Sequence, residues 1–416
     1  MAKSKLPMVT VVGGGMITQI QILPSLYQLQ RMGVIGDIAV SALNGAPLKL
    51  LAEDQTLLDA FPGHSFKPYP DFRKVDPNEK FPALFEEVLR KMPKRNIVFI
   101  ALPDQLHYLA IRKALENDQH VVTVKPLVLK YKEAVEIEHL ALSKGLFCGV
   151  EYHKRFDDRA LMARQQYRRG NFGEFMLGHA WLNEPWYYRD SNFQNWCTCE
   201  NSDMFTYVGC HYVDQVAFVT GLMPTEVSVH GIKDKYPNGR DGYLWCNAIV
   251  NWSNGASLSV LDGMCYPNAA PGGNAQGIQM FCKGSKDACV VLHDDQYRGL
   301  KHGYENPSDG KTYHEPSPDY FKLVYRGGKG LEPVGYGYRS IEALLRAVVR
   351  VEGGKDLKAR QAAIKEVDAE GVLSTPANSA YNELVIEAGR MSILNQGRPV
   401  VIEYGKEPKV RFKEYK

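Results

Sequence analysis

Nowhere in the 416 residues does an apolar run reach the roughly 20 that a membrane-spanning helix needs, so no membrane role is expected. An excess of one charge is missing as well. The 50 basic residues stand against 47 acidic ones, a net +3, which argues against nucleic acid or an anionic lipid surface as a main partner. Eight cysteines are present without framework spacing: seven lie after Tyr152, and the Cys197–Cys199 pair has no second pair near it. That pattern excludes a disulfide scaffold and a paired zinc motif, so reduced thiols and no metal site are expected. Internal repeats and low-complexity tracts are absent. The opening residues 1–8 are short and polar and lack the apolar stretch of a signal peptide, which makes the cytoplasm the expected compartment.

What is present is an ordinary globular composition, 44% hydrophobic and 23% charged, in a chain long enough for more than one domain. Up to residue 151 strand and helix patterns alternate. Short β-branched or apolar runs at 8–12, 37–43, 96–101, 120–124 and 147–151 are separated by helical spacing at 16–31, 47–61, 106–117 and 131–143. Pro24 is expected to kink the first helix or tighten its first half. Such alternation predicts a parallel sheet covered on both faces. After Tyr152 the character changes. Alternating runs at 226–231, 244–252, 256–261 and 279–283 predict a mostly antiparallel sheet. Residues 293–329, rich in Gly, Tyr, Asp and Lys, read as irregular. Helices at 341–351 and 379–396 and a strand at 399–403 close the chain. The division expected is 1–151 for a first domain and 152–416, C-terminal helices included, for a second.

The first strand leads directly into Gly13-Gly14-Gly15 and then a helix. This is the dinucleotide fingerprint position: Gly13 for the tight turn, Gly15 for close approach of backbone to a pyrophosphate, and Met16 and Ile17 opening the helix whose N–H groups face the phosphates. The third position of the pattern, normally Gly or Ala, is Thr18. The acid expected after the second strand is absent, and Asn44 stands where a ribose would be bound. NAD is the expected cofactor, with NADP not excluded.

Four further stretches resemble the oxidoreductase family of glucose-fructose oxidoreductase and inositol dehydrogenase. Ala101-Leu102-Pro103-Asp104-Gln105-Leu106-His107 is similar to its T-P-N-x-x-H segment along the cofactor, which implies Leu102, Pro103, Asp104 and His107 as cofactor residues. His120-Val121-Val122-Thr123-Val124-Lys125-Pro126 resembles H-V-x-x-E-K-P, with Val124 in place of the acid. Glu151-Tyr152-His153-Lys154-Arg155-Phe156 resembles the N-x-R-F turn, with His153 in the Asn place. Tyr207-Val208-Gly209-Cys210-His211-Tyr212-Val213-Asp214 resembles D-x-G-x-H-x-x-D, with Tyr207 replacing the first acid. The resemblance implies an α/β Rossmann domain followed by an α+β domain with a large open, mostly antiparallel sheet. It also implies a sugar or polyol substrate over the nicotinamide, and assembly into a homo-oligomer, a dimer or tetramer, through the sheet.

Removing hydride from a secondary alcohol needs a base for the hydroxyl proton. Lys125, at the carboxyl edge of a buried strand, is the first candidate, for the base and for contact with cofactor and substrate. His211 can relay a proton, and Tyr207, one turn earlier, offers a phenol on the same helix face. Asp214 either orients His211 or caps local structure. His153 and Arg155 are candidate substrate contacts, and Lys154 with Arg155 could meet an anionic substituent. Trp181, Trp186, Tyr187, Tyr188 and Trp196 could form a carbohydrate platform or pack in a core. The leading reading is an NAD(P)-dependent oxidoreductase acting on a sugar, sugar derivative or glycoside. The alternatives are an NAD-dependent glycoside hydrolase working by transient ring-hydroxyl oxidation and elimination, and a non-catalytic dinucleotide-bound sensor.

Overall fold

The computed structural model describes residues 6–270, 273–295, 302–306, 311–315 and 320–414. The chain divides into two compact units that do not follow the sequence order. One holds residues up to Val128, Lys132–His153 and Phe321–Ala380; the other holds Leu129–Tyr131, Lys154–Tyr320 and Tyr381 onward.

In the first unit six strands form one parallel sheet: β1 (Val9–Val12), β2 (Ile38–Ser41), β3 (Lys67–Tyr69), β4 (Ile97–Ile100), β5 (His120–Val124) and β6 (Cys148–Glu151), in the order β3-β2-β1-β4-β5-β6. Every residue of β1, β2, β4 and β6 is buried, as a sheet covered on both faces requires. The strand order reverses direction at β1, so the crevice for a ligand opens at the carboxyl ends of β1 and β4. The first helix is irregular within its expected run. Helical backbone continues over 16–31, with a π turn, Thr18–Ile22, leading directly into the α-helix Leu23–Arg31, and Pro24 lies inside that run, where its missing N–H leaves one backbone bond unmade. The run 47–61 is two helices, Gly45–Ala52 and Gln55–Ala60. Asp54 divides them by accepting from the N–H groups of Thr56 and Leu57 at 2.8 and 3.3 Å.

Phe321–Ala380, assigned by sequence to the second domain, packs with the first unit. The helix Tyr336–Glu352 buries Ile341, Leu344, Leu345 and Val348. Leu344 lies so close to Gly149 of β6 that an added Cβ there would sit 2.6 Å from it. His120 Nε2 lies 2.8 Å from Glu352 at the helix's far end. Periodicity shows that this helix has an apolar face; it cannot say which sheet covers that face.

The second unit is built on an eight-stranded sheet: β7 (Glu174–Pro185), β8 (Pro224–Lys235), β9 (Asp241–Trp252), β10 (Ser257–Tyr266), β11 (Ala275–Lys283) and β12 (Ala288–Asp294), in the order β12-β11-β7-β10-β9-β8, extended beyond β8 by Val400–Glu403 and Lys409–Phe412. Every neighbouring pair is antiparallel except β7 with β10. One face carries the core, in which Phe175, Leu182, Val250, Leu258 and Met280 are covered by the helices Cys210–Thr220 and Tyr381–Ile393. The strand β7 had no counterpart in the sequence reading. Its alternation of burial breaks at Met176 and Leu177, both exposed, where the register with β11 shifts between Phe281 and Cys282. The stretch 293–329 contains a strand pair, His302–Asn306 with Lys311–Glu315, and a strand, Lys322–Val324, that pairs with Glu332–Val334 beyond it; residues 296–301, 307–310 and 316–319 lie outside the described residues. Among the described residues no helix is long and apolar enough to cross a membrane, and all eight cysteines are free.

Candidate active site

The glycine turn sits at the carboxyl end of β1. Gly13 has φ +120°, and an added Cβ would lie 2.0 Å from the carbonyl oxygen of Ala101, so only glycine lets the chain turn against the end of β4. Gly15 is exposed, with nothing within 4 Å of where its Cβ would be, which leaves the backbone open to a bulky phosphate. Thr18, the departure from the glycine pattern, is fully buried and donates its hydroxyl to the carbonyl of Gly13 at 2.7 Å. A side-chain bond thus closes the loop where a third glycine would permit close packing. Met16 is exposed and Ile17 half-buried on the rim of this turn. Asn44 precedes the helix Gly45–Ala52 without a side-chain capping bond. These features fit a dinucleotide along Gly13, Gly15, Met16, Ile17 and Asn44.

The next wall is the loop after β4. Leu102 and Pro103 are half-buried, and Asp104 is buried. His107 is fully buried, with Nδ1 2.7 Å from the carbonyl of Pro126 and Nε2 2.8 Å from that of Leu102. Its ring ties the β4 loop to the β5 loop, so it shapes this wall and presents no ring edge to a ligand. Lys125 follows β5 directly and is half-buried at the same sheet edge.

At the end of β6 lies a group whose members are far apart in sequence. Glu151 is buried and accepts from Gln21 Nε2 at 2.9 Å and Ser340 Oγ at 2.5 Å. Its other oxygen is 3.0 Å from His153 Nδ1. The His153 ring stacks on Tyr336, with centroids 5.5 Å apart and planes at 26°. Gln21 comes from the π turn that follows the glycine loop, and Tyr336 and Ser340, one turn apart, from the start of the helix Tyr336–Glu352. Sequence reasoning singled out His153 but gave no role to Glu151, because neither Gln21 nor Ser340 is near it along the chain.

In the second unit, Tyr207 lies on a π turn, Phe205–Gly209, and His211 is buried in the first turn of the following helix. Tyr207 is half-buried and packs edge-on against Phe193 and Trp196, with centroids 4.9 and 5.5 Å away. Tyr188 stacks on Phe193 at 4.8 Å. Trp186 carries the guanidinium of Arg189 at 4.3 Å, and Tyr187 meets Tyr188 edge-on. The aromatic set is therefore divided: Trp181 lies on β7 beside His179, while the others gather before Tyr207. Burial pushes the Tyr188 hydroxyl far up from its ordinary pKa. Asp262 of β10, passed over in the sequence reading, reaches the turn between Tyr207 and His211; a Cβ on Gly209 would sit 2.6 Å from its carboxylate. An isolated Asp in a strand gives no local signal of that placement.

Arg155, Asp214 and Lys154 lie elsewhere than expected. Arg155 is buried and gives both arms of its guanidinium to Asp214, at 2.7 and 2.6 Å, so it is a core ion pair and not a substrate contact. Asp214 also accepts from Tyr381 Oη at 3.0 Å and Asn382 Nδ2 at 2.9 Å; it neither orients His211 nor caps its helix. Lys154, expected to face an anionic substituent, is buried against Asp295 and Gln276. Beside it, Asp157, His293 and Asp295 bring ligand atoms within 4.8 Å of one another. There Lys154 bonds Asp295 and Arg159 bonds Asp157 at 2.6 Å, so two cations already balance the two carboxylates. Burial raises the Asp295 carboxyl, but Lys154 and His293 outweigh it and hold the group below its ordinary range.

Comparison with known proteins places this geometry. Residues 8–152 match the model described as an oxidoreductase family, NAD-binding Rossmann fold, and residues 160–279 match a GFO/IDH/MocA C-terminal domain. An uncharacterized oxidoreductase of Schizosaccharomyces pombe is 29% identical over 149 residues, 36% of this chain and 40% of that protein. The scyllo-inositol 2-dehydrogenase (NADP(+)) of Bacillus subtilis is 22% identical over 205 residues, 48% of this chain and 54% of its own length. For the first three curated relatives the match spans 40%, 34% and 27% of their length. Among solved structures, scyllo-inositol dehydrogenase from Lactobacillus casei with bound NAD(H) and scyllo-inositol superposes with a TM-score of 0.61 at 16% identity, over 95% of this chain and 99% of that one. GenD2 from gentamicin A biosynthesis, in complex with NAD, gives 0.64 at 14% identity, over 97% and 98%. At these identities the likeness is one of fold.

Proposed function

The chain belongs to the GFO/IDH/MocA oxidoreductase family and its first unit is an NAD-binding Rossmann domain; from that premise we propose that it transfers hydride between the nicotinamide and a secondary alcohol of a sugar, sugar derivative or polyol. The observation that carries this reading is Lys125, half-buried at the carboxyl end of β5, on the edge where the open glycine turn also lies. Bound NAD supplies the hydride acceptor. Gly13, Gly15, Met16, Ile17 and Asn44 hold the dinucleotide, and Leu102, Pro103 and Asp104 line it. Lys125 takes the hydroxyl proton as the C–H bond breaks, and in the second unit Tyr207 and His211 are the residues assigned to passing or donating a proton. NADP stays within the proposal, since no acid at position 43 or 44 repels a 2′-phosphate.

The test is the near-ultraviolet absorbance of reduced nicotinamide when NAD, then NADP, is added with a panel of polyols, sugars and aryl glycosides. Formation of the reduced cofactor with at least one alcohol is expected. Cofactor-dependent release of an aryl group without net reduction would overturn the proposal in favour of transient oxidation, and silence across the panel would sink it.

We further propose a homo-oligomer, joined through the outer face of the eight-stranded sheet. Phe281, Leu177, Leu261 and Ile249 expose large apolar side chains on the adjacent strands β11, β7, β10 and β9. Surfaces of that kind mark protein contacts. Sedimentation should show a dimer or tetramer, and the double substitution Leu177→Glu with Leu261→Glu should shift it to monomer. A monomeric parent protein would refute this.

A further inference from the structure

The first sheet carries a gap on one face, away from the edge where the dinucleotide fits. In the register of three neighbouring strands Thr10 of β1 pairs with Ala39 of β2, and Ala39 pairs with Lys67 of β3. Paired residues of parallel strands share a face, so a small hydroxyl side chain and a methyl stand side by side there. The helix Leu84–Lys91 packs against β2 and β3. Two side chains this small do not fill the space beneath a helix, and a cavity of about 600 Å³ opens over them. That volume is within the range of pockets that take small organic ligands. Met8, Asp37 and Phe66 line it, each the residue just before β1, β2 or β3 begins. The cavity therefore lies toward the amino ends of these strands, while the glycine turn follows the carboxyl end of β1.

The floor is polar at one group. Thr10 is 3% exposed and lines the cavity, and its hydroxyl makes no hydrogen bond among the described residues. A hydroxyl so buried calls for a partner, and the cavity is the space from which one can reach it. The walls are apolar, with Met8, Phe66, Val88 and Met92. The mouth is cationic. Lys67 and Lys91 are both exposed there. Lys67 has no carboxylate partner among the described residues, and Lys91 has Glu87 at 3.8 Å. Asp37 is the one acid in the described lining, so one positive charge is left over. A purely apolar ligand would leave the Thr10 hydroxyl unbonded, and an uncharged one would leave the two ammoniums unused.

We propose that this cavity is a second ligand site, for an aromatic carboxylate that carries a hydroxyl or carbonyl oxygen at its far end. The ring packs against Met8, Phe66 and Met92, thioether and aromatic groups that suit an aromatic face. The carboxylate meets Lys67 and Lys91 at the mouth, and the far oxygen accepts from the Thr10 hydroxyl. The site is separate from the dinucleotide edge and does not depend on the hydride transfer proposed above.

The test uses the full chain saturated with NAD and the fluorescence anisotropy of a hydroxynaphthoate. Naphthoate without the hydroxyl and the methyl ester of the hydroxy acid are the comparisons. One saturable site for hydroxynaphthoate is expected, with the same affinity when NAD is withheld. Loss of the hydroxyl should weaken binding about 3- to 10-fold, and loss of the charge in the ester about 2- to 5-fold. In Thr10→Val, which keeps the side chain's shape, hydroxynaphthoate and naphthoate should bind alike. In Lys67→Gln with Lys91→Gln, acid and ester should bind alike. Ala39→Leu fills the floor and should abolish binding of all three, with unchanged NAD affinity as the sign of a folded domain; Ala39→Val serves if leucine is not accommodated. No saturable binding up to about 1 mM, competition by NAD, or full binding by a folded Ala39 variant would overturn the site. A Thr10→Val or double-lysine variant that keeps the parent's discrimination would overturn the ligand assigned to it.

Discussion

Lys125→Met should bind NAD as the parent does and lose turnover by about 100- to 10,000-fold, the range over which a positioned acid or base contributes. Methionine matches the unbranched stem of lysine and fills the same half-buried space after β5, so the β5 end and its loop stay in place. What disappears is the amine, the one group at that edge assigned to take the hydroxyl proton. Stopped-flow formation of the reduced nicotinamide at saturating cofactor separates the chemical step from binding. A variant with the parent's rate constant would remove Lys125 from the mechanism, while loss of NAD affinity in the same proportion would make it a binding residue.

Asp214→Ala is expected to destabilise the second unit by about 3–5 kcal/mol, because it leaves the buried Arg155 guanidinium without its counter-charge. The same change strips an acceptor from Tyr381 and Asn382. The Tyr381 hydroxyl, raised by burial and by the neighbouring carboxylate, stays a neutral donor throughout. The midpoint of denaturant unfolding measures the loss. The double variant Arg155→Met with Asp214→Leu should recover most of it, since two apolar groups replace a pair that must be desolvated. An unchanged midpoint for Asp214→Ala would show that the pair is not the anchor of the helix Cys210–Thr220.

Much of the candidate site is local in sequence, and that part was legible. A turn directly after a strand places Gly13 and Gly15, and the end of a buried run places Lys125, because strand direction alone puts both at one sheet edge. Thr18 looked like a flaw in the glycine pattern. The structure shows it bonding the carbonyl of Gly13 in a loop closed by a hydroxyl. Arg155 and Lys154 looked like a charged turn open to a ligand. Nothing in the turn reveals that their partners lie 59 and 141 residues away. His107 matched a motif residue, yet its ring lies between two carbonyls and serves the loop.

By itself the sequence did not show β7 or the helix Leu357–Glu370. It determined the period of most elements of the first sheet, the parallel pairing that alternation of strand and helix requires, and the edge of that sheet where a dinucleotide fits. Those follow from the covalent order, since period, turn chemistry and strand direction act within a few residues. Only the tertiary structure decided which surface the helix Tyr336–Glu352 covers, that Glu151 meets Gln21, Ser340 and His153, and that Arg155 closes on Asp214. An apolar face or a buried charge constrains the kind of partner it must find. Which partner it finds depends on how all the segments pack together.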